Sequence, residues 1–230
     1  MKRRKQQVGA VIAAAGSSER MNGVDKTIIP LAGKPALFYV LDTFEKCESI
    51  NQIVVVLTER NMVQVRQMVT ERGWEKVTDL CQGGQRRQDS VLAGLEKLKD
   101  CEWVVIHDGA RPLVTEDLIK RGLEEAGETG AAAAAVRVTD TIKVVGVDRV
   151  VRHTPVRESL WAVQTPQVFR FDIIYQAYRR MRGEVTDDAE IVEQLGYCKV
   201  KLYMGSYDNI KITTPADLIL AEALLQRRGG

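Results

Sequence analysis

Cysteine is scarce and poorly spaced for chemistry. The four residues, Cys47, Cys81, Cys101 and Cys198, include no Cys-x-x-Cys pair. That excludes a zinc knuckle and a disulfide framework, and reads as reduced, partly buried thiols. An excess of one charge is missing too: the formal net charge is +2, too little to argue for a nucleic-acid partner. No apolar stretch approaches the length of a membrane span. The tetrad Lys2-Arg3-Arg4-Lys5 ahead of the apolar run 8–15 imitates a signal peptide, with Ala-x-Ala at 13–15. That run is short, however, and cleavage would remove a strand the rest of the pattern needs, so a cytoplasmic protein without a membrane contact is expected. Gly-x-Gly-x-x-Gly is absent after the first apolar run, which disfavours a dinucleotide-dependent dehydrogenase. Repeats, low-complexity tracts and linker composition are absent as well.

What is present is an ordinary globular composition, 45% apolar and 28% charged over 230 residues, with room for a substantial core. Apolar, β-branched runs at 52–58 and 102–107 have strand length, and an Ala-rich run at 131–136 stands where a third strand is due. Helical patterns lie between them at 35–46, 60–72, 88–98 and 115–126, the last with Thr115 as N-cap and acids in its first turn. Continuous apolar strands alternating with helices predict a mostly parallel sheet covered on both faces. The alternation breaks at 139–153, where two short β-rich segments flank Gly146-Val147-Asp148 and predict a projecting hairpin. Helices at 171–182 and 188–195, a strand at 199–204 and a last helix at 215–226 complete an α/β chain. The simplest division is one domain, 1–230, with a β-arm inserted at about 139–158.

The most informative segment is Ala13-Ala14-Ala15-Gly16-Ser17-Ser18-Glu19-Arg20-Met21 with Lys26. Small residues after a buried strand let backbone N–H groups approach an anion. Arg20 and Lys26 then add a planar fork and a point charge, a set suited to a triphosphate. Taken alone the segment reads equally as a Gly-turn with two solvated cations. Gly83-Gly84 and His107-Asp108 fall at strand ends as well, where ligands of such sheets bind, and that convergence favours the phosphate loop.

Further blocks follow in order: Gly83-Gly84-x-x-Arg87-x-Asp89-Ser90-Val91, His107-Asp108-x-Ala110-Arg111-Pro112, Asp140-Thr141-x-Lys143, Leu160-Trp161 with Thr165-Pro166-Gln167, Thr186-Asp187, and Asp208-Asn209-Ile210-Lys211. With the opening segment they closely resemble the 2-C-methyl-D-erythritol 4-phosphate cytidylyltransferases, nearly end to end. Departures are Ser18 where a second glycine is usual, Asp25-Lys26-Thr27 in place of Pro-Lys-Gln, and Gly109 in place of alanine. The resemblance implies a Rossmann-like nucleotidyltransferase fold that joins CTP to a sugar-alcohol phosphate and releases pyrophosphate. It also implies a homodimer in which each β-arm reaches the partner's site.

In that reaction the nucleophile is already an anion, so gathering charge matters more than a Ser-His-Asp triad. Arg20, Lys26 and Lys211 are expected at the reacting phosphates, with Gly16 and Gly84 in the nucleotide loops. Ala14, Ala15, Gly83 and Ser90 are expected around the base. The acceptor would meet Asp108, Arg111, Thr165, Asp208 and Lys211, together with Thr141 and Arg157 from the arm region. Asp108 is the expected ligand of a divalent metal, Mg²⁺ by its chemistry; otherwise it is a turn acid. Thr186 and Asp187 are further candidates at the acceptor, and read equally as a helix N-terminus, as Asp208 reads equally as an Asx-turn. Trp161 reads as packing and His107 as a satisfied strand-end imidazole. The sister activity on ribitol 5-phosphate, and a non-catalytic nucleotide-binding regulator, remain open at this point.

Overall fold

The computed structural model describes residues 7–16 and 26–229; Arg20, Ser18 and Asp25 lie outside them. The first half of the chain runs through β1 (Val8–Ala14), a small hairpin of β2 (Pro30–Leu31) and β3 (Lys34–Pro35), α1 (Ala36–Lys46), β4 (Gln52–Leu57) and α2 (Met62–Arg72). It continues with β5 (Val77–Gln82), α3 (Arg87–Leu95), β6 (Trp103–Asp108), α4 (Glu116–Thr129) and β7 (Ala131–Arg137). The second half adds β8 (Val144–Val145), β9 (Val151–His153), β10 (Trp161–Arg170), α5 (Phe171–Arg180), α6 (Asp188–Leu195), β11 (Val200–Met204) and α7 (Pro215–Gly229).

A 7-stranded sheet of order β11-β7-β10-β6-β1-β4-β5 organises these elements. Its neighbours pair in parallel except at β10, which runs antiparallel to both β6 and β7. Strand periodicity divides the core. Ala10, Ile12, Ile53, Val55 and Val105 pack with Leu41, Phe44 and Ile119 of one helix layer. Val11, Val54, Val104 and Ile106 pack with Val91, Leu95, Ile174 and Ile191 of the other. Burial on both faces is what the unbroken apolar runs require.

Helix ends follow local chemistry. Thr115 Oγ1 accepts from Leu118 N at 3.3 Å, as its N-cap position predicts, and Gly130 closes α4 at φ 90°. The Leu31-Ala32-Gly33-Lys34 turn holds both central residues at positive φ, 46° and 81°, the geometry of a tight two-residue hairpin.

Three strand segments differ from the sequence expectation. The hairpin β2–β3 is too short to leave a pattern. Strand β5, Val-Thr-Asp-Leu-Cys-Gln, lies at the sheet edge with only Cys81 buried, so it carries no apolar run. Strand β10 contains Pro166, a residue that argues against an interior strand. The sheet accepts it at an irregularity in the β10–β7 register between Val163 and Gln167. Because β10 pairs with β7, the segment between them is the far end of one long hairpin. Val138 N still donates to Leu160 O at 3.3 Å, and β8 and β9 pair beyond it, which is the projecting arm.

Candidate active site

Two cavities meet at the rim where β1, β5 and β6 end. The larger, about 270 Å³, is lined by Ala13, Ala14, Ala15 and Gly16 after β1, by Lys26 and Thr27, by Gly84 to Arg87 and Ser90 at the start of α3, and by Asp108 and Lys211. The smaller, about 110 Å³, is lined by Arg111, Gln164, Thr165, Gln167, Thr186 and Asp187. Arg87, Asp108 and Lys211 belong to both and form the wall between them.

Backbone approach explains the larger cavity. A Cβ on Gly83 would stand 2.3 Å from Ala15 Cβ and 2.6 Å from Ser90 Oγ, so only glycine lets these loops close. Ser90 Oγ accepts from Gly84 N at 3.1 Å and donates to Arg86 O at 3.2 Å. Gly83 does not line the cavity itself; its effect is to bring Ala15 and Ser90 together.

The dividing wall is an ionic cluster. Lys211 Nζ lies 2.8 Å from Asp108 Oδ2, Arg87 Nε 3.3 Å from Oδ1, and Arg111 Nε 3.8 Å from Oδ2. Burial pushes the Asp108 carboxyl up, but Arg87, Lys211 and Arg111 overcome it and hold it well below the usual carboxylate range. Burial likewise lowers Arg111, against the opposing pull of Asp108. Arg87 also grips the buried Asp188 of α6 through both terminal nitrogens, at 2.8 and 2.6 Å. Against burial, Asp188 and Asp108 raise the Arg87 pKa well above its usual value.

A neutral relay fixes the backbone beneath that cluster. Asp108 N donates to Thr165 Oγ1 at 3.0 Å, Thr165 Oγ1 lies 3.1 Å from His107 Nδ1, and His107 Nε2 lies 3.2 Å from Arg111 O. The carbonyl can only accept, so Nε2 carries the proton and Nδ1 accepts from the threonine hydroxyl. Burial, opposed by Asp108, depresses His107 to about 4, and the ring is uncharged at neutral pH.

The remaining expected residues are distributed as follows. Asp187 caps α6, with Oδ1 accepting from Glu190 N at 2.9 Å and Oδ2 from Gln167 Nε2 at 3.0 Å. Thr186 donates to Glu190 Oε2 at 2.7 Å. Asp208 turns away to pair with Arg227 of α7 and lines neither cavity. Its turn is held by Ser206 Oγ, which accepts from Asp208 N at 3.1 Å, in place of an Asx-turn. Thr141 and Arg157 are exposed in the arm region, Arg157 Nη1 donating to Thr139 O at 3.2 Å; neither lines either of these two cavities. Arg20 lies outside the described residues.

Sequence reasoning left without roles Arg87, Asp188, Gln164, Gln167 and Asn209, whose buried Nδ2 donates to Thr165 O at 2.8 Å. Arg87, Gln167 and Asn209 stand inside the motifs that carry the family resemblance, which is the available signal. Asp188 was inseparable from Asp187 as a helix-start acid.

A model of the 2-C-methyl-D-erythritol 4-phosphate cytidylyltransferase family matches residues 8–227. The chain belongs to that family. A cytidylyltransferase of that name from Dehalococcoides mccartyi strain 195 is 50% identical over 222 residues, 96% of this chain and 97% of the relative. Another, from Caldanaerobacter subterraneus, is 46% identical over 226 residues, 96% and 99% respectively. Among solved structures, the 4-diphosphocytidyl-2C-methyl-D-erythritol synthase of Anaerococcus prevotii superposes with TM-score 0.86 at 32% identity, covering 96% of this chain and 97% of that one. The cytidylyltransferase of Thermus thermophilus superposes with TM-score 0.76 at 32% identity, covering 96% and 100%. The cytidylyltransferase fold thus covers nearly the whole chain.

Proposed function

We propose that this chain joins CTP and 2-C-methyl-D-erythritol 4-phosphate, giving 4-diphosphocytidyl-2-C-methyl-D-erythritol and pyrophosphate in isoprenoid precursor synthesis. The observation that carries this reading is the shared cationic wall. Two adjoining cavities divided by Arg87, Asp108 and Lys211 suit two anionic reactants that must meet at one phosphorus. CTP takes the larger cavity, its phosphates against the amides of Ala15 and Gly16 with Lys26 and Arg20. Backbone groups near Ala14, Ala15 and Ser90, brought together by Gly83, face the base, where carbonyl oxygens tell the cytosine amine from a uracil oxygen. The acceptor phosphate sits against Arg111, Thr165 and Lys211. Its oxygen attacks the α-phosphorus and pyrophosphate leaves in line, so no general base is required. Lys211, in both cavities, neutralises the charge moving between nucleophile and leaving group.

Mg²⁺ fits this donor set. Asp108 is a single ionised carboxylate at the rim, and among the described residues no group of three or more His, Cys, Asp or Glu forms a cage. Mg²⁺ commonly takes one or two carboxylates and completes its shell with water and substrate phosphates. Asp108 would hold it, and the ion would supply charge neutralisation at the nucleotide phosphates.

The reading includes a homodimer. Val145, Val147, Val150 and Val151 are exposed on the arm, an apolar surface that a second copy would cover, bringing Thr141 and Arg157 to its acceptor cavity. No helix of the described residues is long and apolar enough to cross a membrane, and a soluble cytoplasmic enzyme of small metabolites follows from the reading.

Pyrophosphate release with Mg²⁺, CTP and either methylerythritol phosphate or ribitol 5-phosphate tests it. Preferential turnover of the methylerythritol acceptor is expected. Preference for ribitol phosphate would reassign the acceptor, and no release with either would leave a nucleotide-binding regulator.

A further inference from the structure

Asp188 has no place in the reaction just described. It is 0% exposed and lines neither cavity. Its Oδ1 accepts from Arg87 Nη1 and its Oδ2 from Arg87 Nη2, at 2.8 and 2.6 Å. Tyr178 of α5 donates a third hydrogen bond to Oδ1. Buried ion pairs are poor sources of stability, since apolar side chains of similar volume commonly do as well. What a two-point pair supplies is a fixed guanidinium plane.

That plane has a consequence at the rim. With both terminal nitrogens on Asp188, Arg87 offers Asp108 only its Nε edge, at 3.3 Å from Oδ1. Oδ2 is left to Lys211 at 2.8 Å and to Arg111 at 3.8 Å. A released Arg87 would instead grip Asp108 through two nitrogens and tie up the carboxylate common to both cavities. We propose that Asp188 is a positioning residue: by holding the terminal nitrogens of Arg87, it confines that side chain to one oxygen of Asp108 and leaves the other to Lys211, the cation both cavities share. The inference rests on the reading of this rim as the site of cytidylyl transfer.

A double-mutant cycle on the full-length protein tests it. Asp188→Asn keeps the shape and the tyrosine contact but removes the charge. It is expected to lower kcat by about tenfold to a hundredfold, the scale of small misplacements at a reacting centre, with KM for CTP within about threefold. In an Arg87→Gln background the same substitution should add less than about a twofold loss, because coupled residues are not additive. Multiplicative losses, or a KM rise at unchanged kcat, overturn the proposal. Should Asp188→Asn fail to melt cooperatively, Tyr178→Phe enters the cycle instead: a several-fold fall in kcat that vanishes with Arg87→Gln is expected, and an unchanged kcat overturns it. An NMR readout is independent of turnover. The Arg87 side chain in the wild-type protein should give separate Nη proton signals from hindered rotation, and merged signals there overturn the proposal. Wild-type protein inert with both acceptors would remove the proposed function while this spectrum still decides the positioning.

Discussion

Lys211 is half-exposed at the junction of both cavities, yet its ammonium is drawn to a nearly enclosed carboxylate. Lys211→Ala should leave the fold intact, because Asp108 keeps Arg87 and Arg111 as counter-charges. Turnover should fall by roughly 10²- to 10³-fold, about 3–4 kcal/mol, as for other preorganised transition-state donors. A steady-state assay beside a thermal melt checks both halves. His107 governs acid stability. Its pKa drops from 6.5 to about 4 on folding, so between those values the unfolded chain binds the extra proton. Stability is therefore fully present above pH 6.5 and is lost as pH falls toward 4, by roughly 3 kcal/mol in all. Asp108, also lowered on folding, adds a further loss only below the ordinary carboxylate range. Urea midpoints at pH 7, 5.5 and 4.5 should decline in the wild type and far less in His107→Gln.

At the scale of elements, legibility followed burial on both faces. Strands β1, β4 and β6 announced themselves as unbroken apolar runs because helices cover both sides of each. Strand β5, at an edge, and β10, with Pro166, showed neither run nor alternation, since edge position and register irregularity relax the pattern. The rim loops were readable because Gly16, Gly83-Gly84 and Asp108 stand where strands stop. The ionic chain behind them was not, for a linear sequence cannot say which of Asp187 and Asp188 turns inward. Asp208 illustrates the converse: its block pointed to the site, whereas α7 brings Arg227 close enough to claim the carboxylate. The turn from β5 into α3 gives a test of its own. Gly83→Ala would press a methyl to 2.3 Å from Ala15 Cβ, an atom that no rotamer change can move, so the loops must part. CTP affinity measured by calorimetry should drop at least tenfold, with the melting temperature lowered by a few degrees as for a strained substitution of about 1 kcal/mol. Unchanged affinity would mean that the loops do not close on the base.

For the molecule as a whole, the proposed exchange of arms makes each site a joint product of two chains. Arg20→Ala protomers and Arg157→Ala protomers should each be nearly inactive. Mixed and re-equilibrated, they should regain part of the wild-type rate, because one site of each heterodimer receives both arginines. A verified heterodimer with no recovery would place Arg157 in its own chain's affairs. The ribbon that leaves the sheet as β7 and returns as β10 carries the arm at its tip and Thr165 near its base. A second copy clasping the tip, as proposed, would brace the base as well, since one ribbon carries both. Dilution to separate chains should accordingly blur the choice between polyols sooner than it weakens the hold on nucleotide.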